Sequence, residues 1–255
     1  AFRGLRQLRN LTFVTHNDDW SGMSLEVTPK VFSDDLHLLE RLDFSCNNIK
    51  VLPEGVFCPL QNLAFLNLTR NKLASLSTLR FGGENSNDVY AKCGSNIRVL
   101  DLSNNSVEVL PQKVFSFLTQ LEELNLQENI LSTIADHAFD NLSSLSTLNL
   151  AHNKLVFLPP ELFTDARELK HIYLQNNSLN TLAPGLFHGL AKLLVLDLSD
   201  NKLTEEWINS ATFTGLSALY MLNLSGNNIT KLDALMFHDL YELRVLRLEN
   251  NAIHS

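Results

Sequence analysis

Apolar residues recur along this chain in one frame, L-x-x-L-x-L-x-x-N-x-L, of which Leu121-Glu-Glu-Leu124-Asn-Leu126-Gln-Glu-Asn129-Ile-Leu131 is representative. The frame opens at Leu39, Leu63, Ile97, Leu121, Leu145, Leu169, Leu193, Leu219 and Leu243. Its first, fourth, sixth and eleventh places are Leu, Ile, Val or Phe in all nine copies, and its ninth place is always Asn. The alternation predicts a short strand with the apolar places turned inward and the polar places between them turned outward. A unit this small buries its apolar face only against its neighbours, so the copies must stack. Asn47, Asn71, Asn105, Asn129, Asn153, Asn177, Asn201, Asn227 and Asn251 then fall among core leucines. There each carboxamide needs partners for its carbonyl and both amide hydrogens, and backbone groups of the neighbouring turns are at hand. The result is a ladder of asparagines.

The pattern defines an α/β repeat, a leucine-rich-repeat solenoid or horseshoe with a concave parallel β-sheet and irregular or short-helical convex turns. Copies follow one another every 24 residues, except for steps of 34 after Leu63 and 26 after Leu193. Leu-Pro pairs precede a phenylalanine at Leu52-Pro53, Leu110-Pro111 and Leu158-Pro159, and proline disfavours continuing a helix there. Phe57, Phe81, Phe115, Phe139, Phe163, Phe187, Phe213 and Phe237 recur once per copy and are expected to form a spine behind the sheet. Residues 1–38 hold one irregular copy, with Leu8, Leu11 and Phe13 in strand places and His16 where the ladder Asn belongs.

Residues 1–255 thus read as a single array of about ten repeats with both caps missing. Insertions are expected near 16–26, where Trp20 would anchor a polar loop, near 82–94, and near 204–210 around Glu205-Glu206-Trp207. The net charge of −8 argues against nucleic acid or an anionic membrane surface as partner. No run approaches the ~18 apolar residues that cross a bilayer, so membrane attachment would come only through a segment outside this sequence. Sequons at Asn10, Asn67, Asn104, Asn141, Asn176, Asn223 and Asn228 suit an extracellular, N-glycosylated surface. Sugars at Asn67 and Asn223, both fifth-place residues, would stand on the concave sheet.

Catalytic and cofactor chemistry has no foothold. The eight histidines are scattered, and no H-E-x-x-H, C-x-x-C or G-x-S-x-G arrangement occurs, so no metal, cofactor or enzymatic activity is expected. Asp43, Asp101 and Asp197 share the fifth place with Asn67, Asn125 and Asn149, which leaves a solvated stripe or a calcium-binding carboxylate row as readings. Binding is better supported. In the later repeats Leu194, Val195, Tyr220, Met221 and Val245 fall on the concave face, flanked by His171, Tyr173, Arg244 and Arg247. Apolar and aromatic groups rimmed by charge suit a protein interface, although strand propensity selects some of the same residues.

The three cysteines, Cys46, Cys58 and Cys93, leave open a Cys58–Cys93 disulfide, a Cys46–Cys93 disulfide, or three thiols. The register favours the first. Cys58 follows Phe57, and the counterpart of Cys58 one repeat on is Gly82, where the long excursion departs, so the loop can return Cys93 beside Cys58.

The segments Phe57-Cys58-Pro59-Leu60 through Asn71, and Cys93-Gly leading into Ile97-Arg-Val-Leu100-Asp-Leu-Ser-Asn-Asn105, resemble the ectodomains of insect Toll receptors, the longer, Tollo-like members in particular. That resemblance implies a cell-surface receptor fragment whose partner is a protein, a cystine-knot cytokine or another ectodomain. The cysteine-rich caps, transmembrane helix and cytoplasmic domain of that family are not in this sequence. A leucine-rich-repeat adhesion or matrix protein without a signalling role is the alternative.

Overall fold

The computed structural model describes residues 2–15, 23–82, 90–91, 93 and onward to 254. Ten three-residue strands form one parallel sheet: β1 (Asn10–Thr12), β2 (Arg41–Asp43), β3 (Phe65–Asn67), β4 (Val99–Asp101), then Glu123–Asn125, Thr147–Asn149, His171–Tyr173, Val195–Asp197, Met221–Asn223 and Val245–Arg247. Each pairs with the strand of the next repeat without slippage. The third places run in register from Asn10 and Arg41 through Phe65 and Val99 to His171, Val195, Met221 and Val245. Even the irregular first copy keeps this register, because Leu11 faces Leu42 in the core column.

The fourth places carry the core, buried from Leu42 to Leu222. Each ladder Asn joins two repeats. The Nδ2 of Asn153 donates to the carbonyls of Leu150 in its own turn and Leu126 in the turn before, and its Oδ1 accepts the Leu131 N–H. Asn129, Asn177 and Asn201 repeat that pattern. Behind the sheet, Phe57 through Phe213 are buried, and close ring pairs form at Phe115–Phe139, Phe163–Phe187 and Phe213–Phe237.

Among the described residues the convex side is made of turns, with a single 3-10 turn at Asp34–Leu36; of the two expected forms, the irregular one dominates. A further two-stranded parallel sheet joins Val109–Leu110 to Thr133–Ile134. Residues 16–22, with Trp20, and 83–89 and Lys92 of the two larger insertions lie outside the described residues. The smaller bulge is ordered: Trp207 packs against the core, and Glu205 accepts bonds from the Thr230 N–H and hydroxyl. Cys58 and Cys93 are disulfide-bonded, and Cys46 is a free thiol.

Candidate functional site

The eleven-residue frame puts three outward places per repeat on the sheet side: the second, just before the strand, and the third and fifth, within it. In the last four repeats these places converge into one patch. Val195 lies in register between His171 and Met221, and Val245 beyond Met221. The second-place residues Leu194 and Tyr220 are 37% and 47% exposed. Arg244 holds its guanidinium 6.0 Å from the Tyr220 ring centroid. His171 stacks nearly parallel to Tyr173 at 6.5 Å, with Nδ1 3.3 Å from the Thr147 hydroxyl. Arg247 is exposed beside Asn223 in the fifth-place column. All nine candidate binding residues therefore share one face.

Residues that the frame did not single out complete the picture. Lys170 holds the second place next to Leu194, so it brackets the patch on the side opposite Arg244; the frame alone could have placed it. Farther along the same sheet, Arg41 lies 4.0 Å over the ring of Phe65, and half-buried Val99 follows Phe65 in the third-place column. Among the described residues Lys170, Arg244 and Arg247 form no ion pair, whereas Arg98, Lys192 and Arg80 are matched to Glu122, Glu168 and Glu54. At ~4.8 Å per strand, Lys170 and Arg244 stand about 14 Å apart across three strand spacings.

The fifth-place acids are neither a freely solvated stripe nor an open carboxylate row. Oδ1 of Asp101 accepts the N–H and hydroxyl of Ser103, and its Oδ2 accepts from Asn125. Asp197 is held likewise by Ser199 and by the Asn223 amide. Asn and Asp close the same turn at the strand end, which explains why they interchange at this place. Among the described residues no group of three His, Cys, Asp or Glu is placed to hold a metal ion.

The sequons divide by place. Asn10 and Asn67 lie on β1 and β3, Asn104 and Asn176 hold the eighth place, Asn228 the tenth, and Asn141 sits on a convex turn with its N–H donated to Asp165. Asn223, expected to offer a sugar to the concave face, is buried instead, because Asp197 and Ser225 take up its carboxamide.

Stacked short strands, an asparagine ladder and an outward-facing patch define a repeat-built recognition protein. The Leucine rich repeat description matches residues 23–73, 95–155, 143–203 and 207–253; the chain belongs to the leucine-rich-repeat family. Within that family it is similar to Toll-like receptor 7 of Drosophila melanogaster, with 40% identity over 147 residues that make up 57% of this chain and 10% of that protein. It is also similar to keratocan of Gallus gallus, 36% identical over 107 residues, covering 37% of this chain and 30% of that protein. In fold it is similar to a chain of the Toll - Spatzle complex from Drosophila, with a TM-score of 0.74 and 28% identity over 97% of this chain and 34% of that one. The chain spans between a tenth and about a third of these relatives, and it resembles Toll receptors in both sequence and fold.

Proposed function

We propose that the chain is an extracellular recognition module, part of the ectodomain of a Toll-like cell-surface receptor, and that it binds a protein through the concave face of its last four repeats. The observation that carries this reading is the patch itself. Leu194, Val195, Tyr220 and Met221 present apolar surface between Lys170 on one side and Arg244 and Arg247 on the other. In a chain of net charge −8, three cations that form no ion pair among the described residues, set around one apolar patch, call for a partner that brings carboxylates to it. A protein ligand is supported by the fold neighbour, which is a chain of a complex with Spatzle; the Toll resemblance makes that ligand a cystine-knot cytokine, and a second ectodomain is the other protein class. No part of the reading requires a cofactor or a chemical step.

The test is binding of the purified secreted protein to a Spatzle-type cytokine by biolayer interferometry. Tyr220→Ala and Met221→Ala, at the centre of the patch, are expected to weaken binding at least tenfold, as truncation of buried interface anchors does. Lys170→Glu is expected to slow association and to flatten its salt dependence. Unchanged affinity in all three variants would move the binding surface elsewhere. The match to keratocan favours a second reading, adhesion without signalling; binding to matrix components and no cytokine binding would support it.

A further inference from the structure

We infer that Asn223 is a silent sequon, kept free of sugar by its own turn, while Asn10, Asn141, Asn176 and Asn228 carry the glycans, so that the patch stays uncovered. This rests on the extracellular reading above. An N-linked sugar replaces one hydrogen of the carboxamide nitrogen and needs open solvent around that nitrogen. Asn223 offers none: it is 6% exposed, and its Nδ2 donates to Asp197 Oδ2 at 3.1 Å. Its Oδ1 accepts the Ser225 N–H at 3.1 Å and the Ser225 hydroxyl at 2.7 Å. On the two neighbouring strands Asp197 and Arg247 flank it in register.

Asn67 shows that the fifth place alone does not impose this state. Its Oδ1 closes the same turn on Thr69, yet its Nδ2 makes no hydrogen bond among the described residues. Asp43 stands in register before Asn67 as Asp197 does before Asn223, but of these two acids, among the described residues, only Asp197 accepts its partner's carboxamide N–H. Sugar is transferred to the extended nascent chain, so a molecule modified at Asn223 would have to seat the sugar on a residue that is 6% exposed and whose nitrogen is already engaged by Asp197, and folding into the closed turn selects against it. By contrast Asn10, Asn141, Asn176 and Asn228 are exposed, and none of the four lies among the patch residues Leu194, Val195, Tyr220 and Met221.

The experiment is secretion of the whole chain from insect cells behind a signal peptide, followed by enzymatic deglycosylation in heavy-oxygen water and peptide mapping, which marks every formerly occupied Asn as labelled Asp. Label at Asn10, Asn141, Asn176 and Asn228 with none at Asn223 is the expected result. Ser225→Ala, which destroys that sequon, is expected to leave the mobility of the secreted protein unchanged, whereas Ser178→Ala, which destroys the one at Asn176, makes it run faster. Label at Asn223 beside the other sites, or faster migration of Ser225→Ala, overturns this inference alone. A secreted protein without label at any sequon overturns it together with the glycosylated-surface reading beneath it.

Discussion

A ladder asparagine does what no apolar residue in its place can do. Asn153 satisfies one N–H and two carbonyls belonging to two successive turns, in a half-buried place among leucines. Asn153→Leu matches the neighbours in polarity but orphans those groups, and is expected to cost at least about 1–3 kcal/mol. Urea denaturation measures it; an unchanged midpoint would show that the ladder is ornamental. The ninth place was legible because Asn among leucines is conspicuous. The eighth was not. Cys46, Arg70, Asn104, Glu128, His152, Asn176, Asp200 and Asn250 all hold a positive φ near 55° there, as does Gly226. Left-handed backbone favours Gly, Asn and Asp, and five of the nine residues obey; Glu128, His152, Arg70 and Cys46 hide the rule because the ladder bonds on either side hold the turn whatever the side chain.

At the scale of elements, strand position and register followed from the frame, since a period of two inside a period of 24 allows one stacking only. The fate of the insertions was less visible. The two extra residues of the repeat opening at Leu193 read only as an insertion, but Glu205 within it reaches across to the next repeat, 25 residues on, and accepts two bonds from Thr230. Such a partner is invisible to any local pattern. The Thr230 N–H, and then its hydroxyl, hold the Glu205 carboxyl below the ordinary glutamate range, and the Gly4 N–H and Arg6 do the same for Asp35. Because the folded-state pKa lies below the unfolded one, the stabilisation is complete at neutral pH and is lost as pH falls through the carboxylate range, below about pH 4. Glu205→Gln, which cannot titrate, is therefore expected to show a shallower fall of Tm between about pH 5 and pH 3 than the parent protein. Parallel curves for the two proteins would remove Glu205 from the account.

For the whole molecule, the proposed binding face emerges from summed single places, one or two outward side chains per repeat. The frame identified Leu194, Val195, Tyr220 and Met221 directly, and it also held Lys170, whose importance showed only when the ion pairs were known. The burial of Asn223 lay beyond the sequence because an Asp one repeat earlier does not ensure it: Asp43 and Asp101 stand so before Asn67 and Asn125, which stay half-buried, whereas Asn223, bonded to Asp197, is buried. Charge and apolar surface thus sort themselves along the solenoid by what each repeat gives to the next.

That giving has a direction. Every ladder asparagine accepts its N–H from the repeat before it: Asn201 serves Leu179, Asn227 serves Leu203, and Asn251 serves Ile229. A repeat therefore depends on its successor for the closing of its own backbone. Removing the last repeat strips Ile229 and Leu224 of the partners that Asn251 supplied, and main-chain groups cannot turn away to find others. Either deletion frees main-chain groups of the adjoining strand, the Glu40 and Arg41 N–H at one end and the Tyr220 carbonyl at the other, but within the ladder removal of the first repeat, up to residue 15, frees only the Asn47 side chain, which can rotate into water. Deletion from the carboxyl end should consequently lower Tm more than deletion of comparable length from the amino end, and equal losses would refute the asymmetry. Anyone trimming such an array for expression has, in effect, one end that tolerates the knife and one that does not.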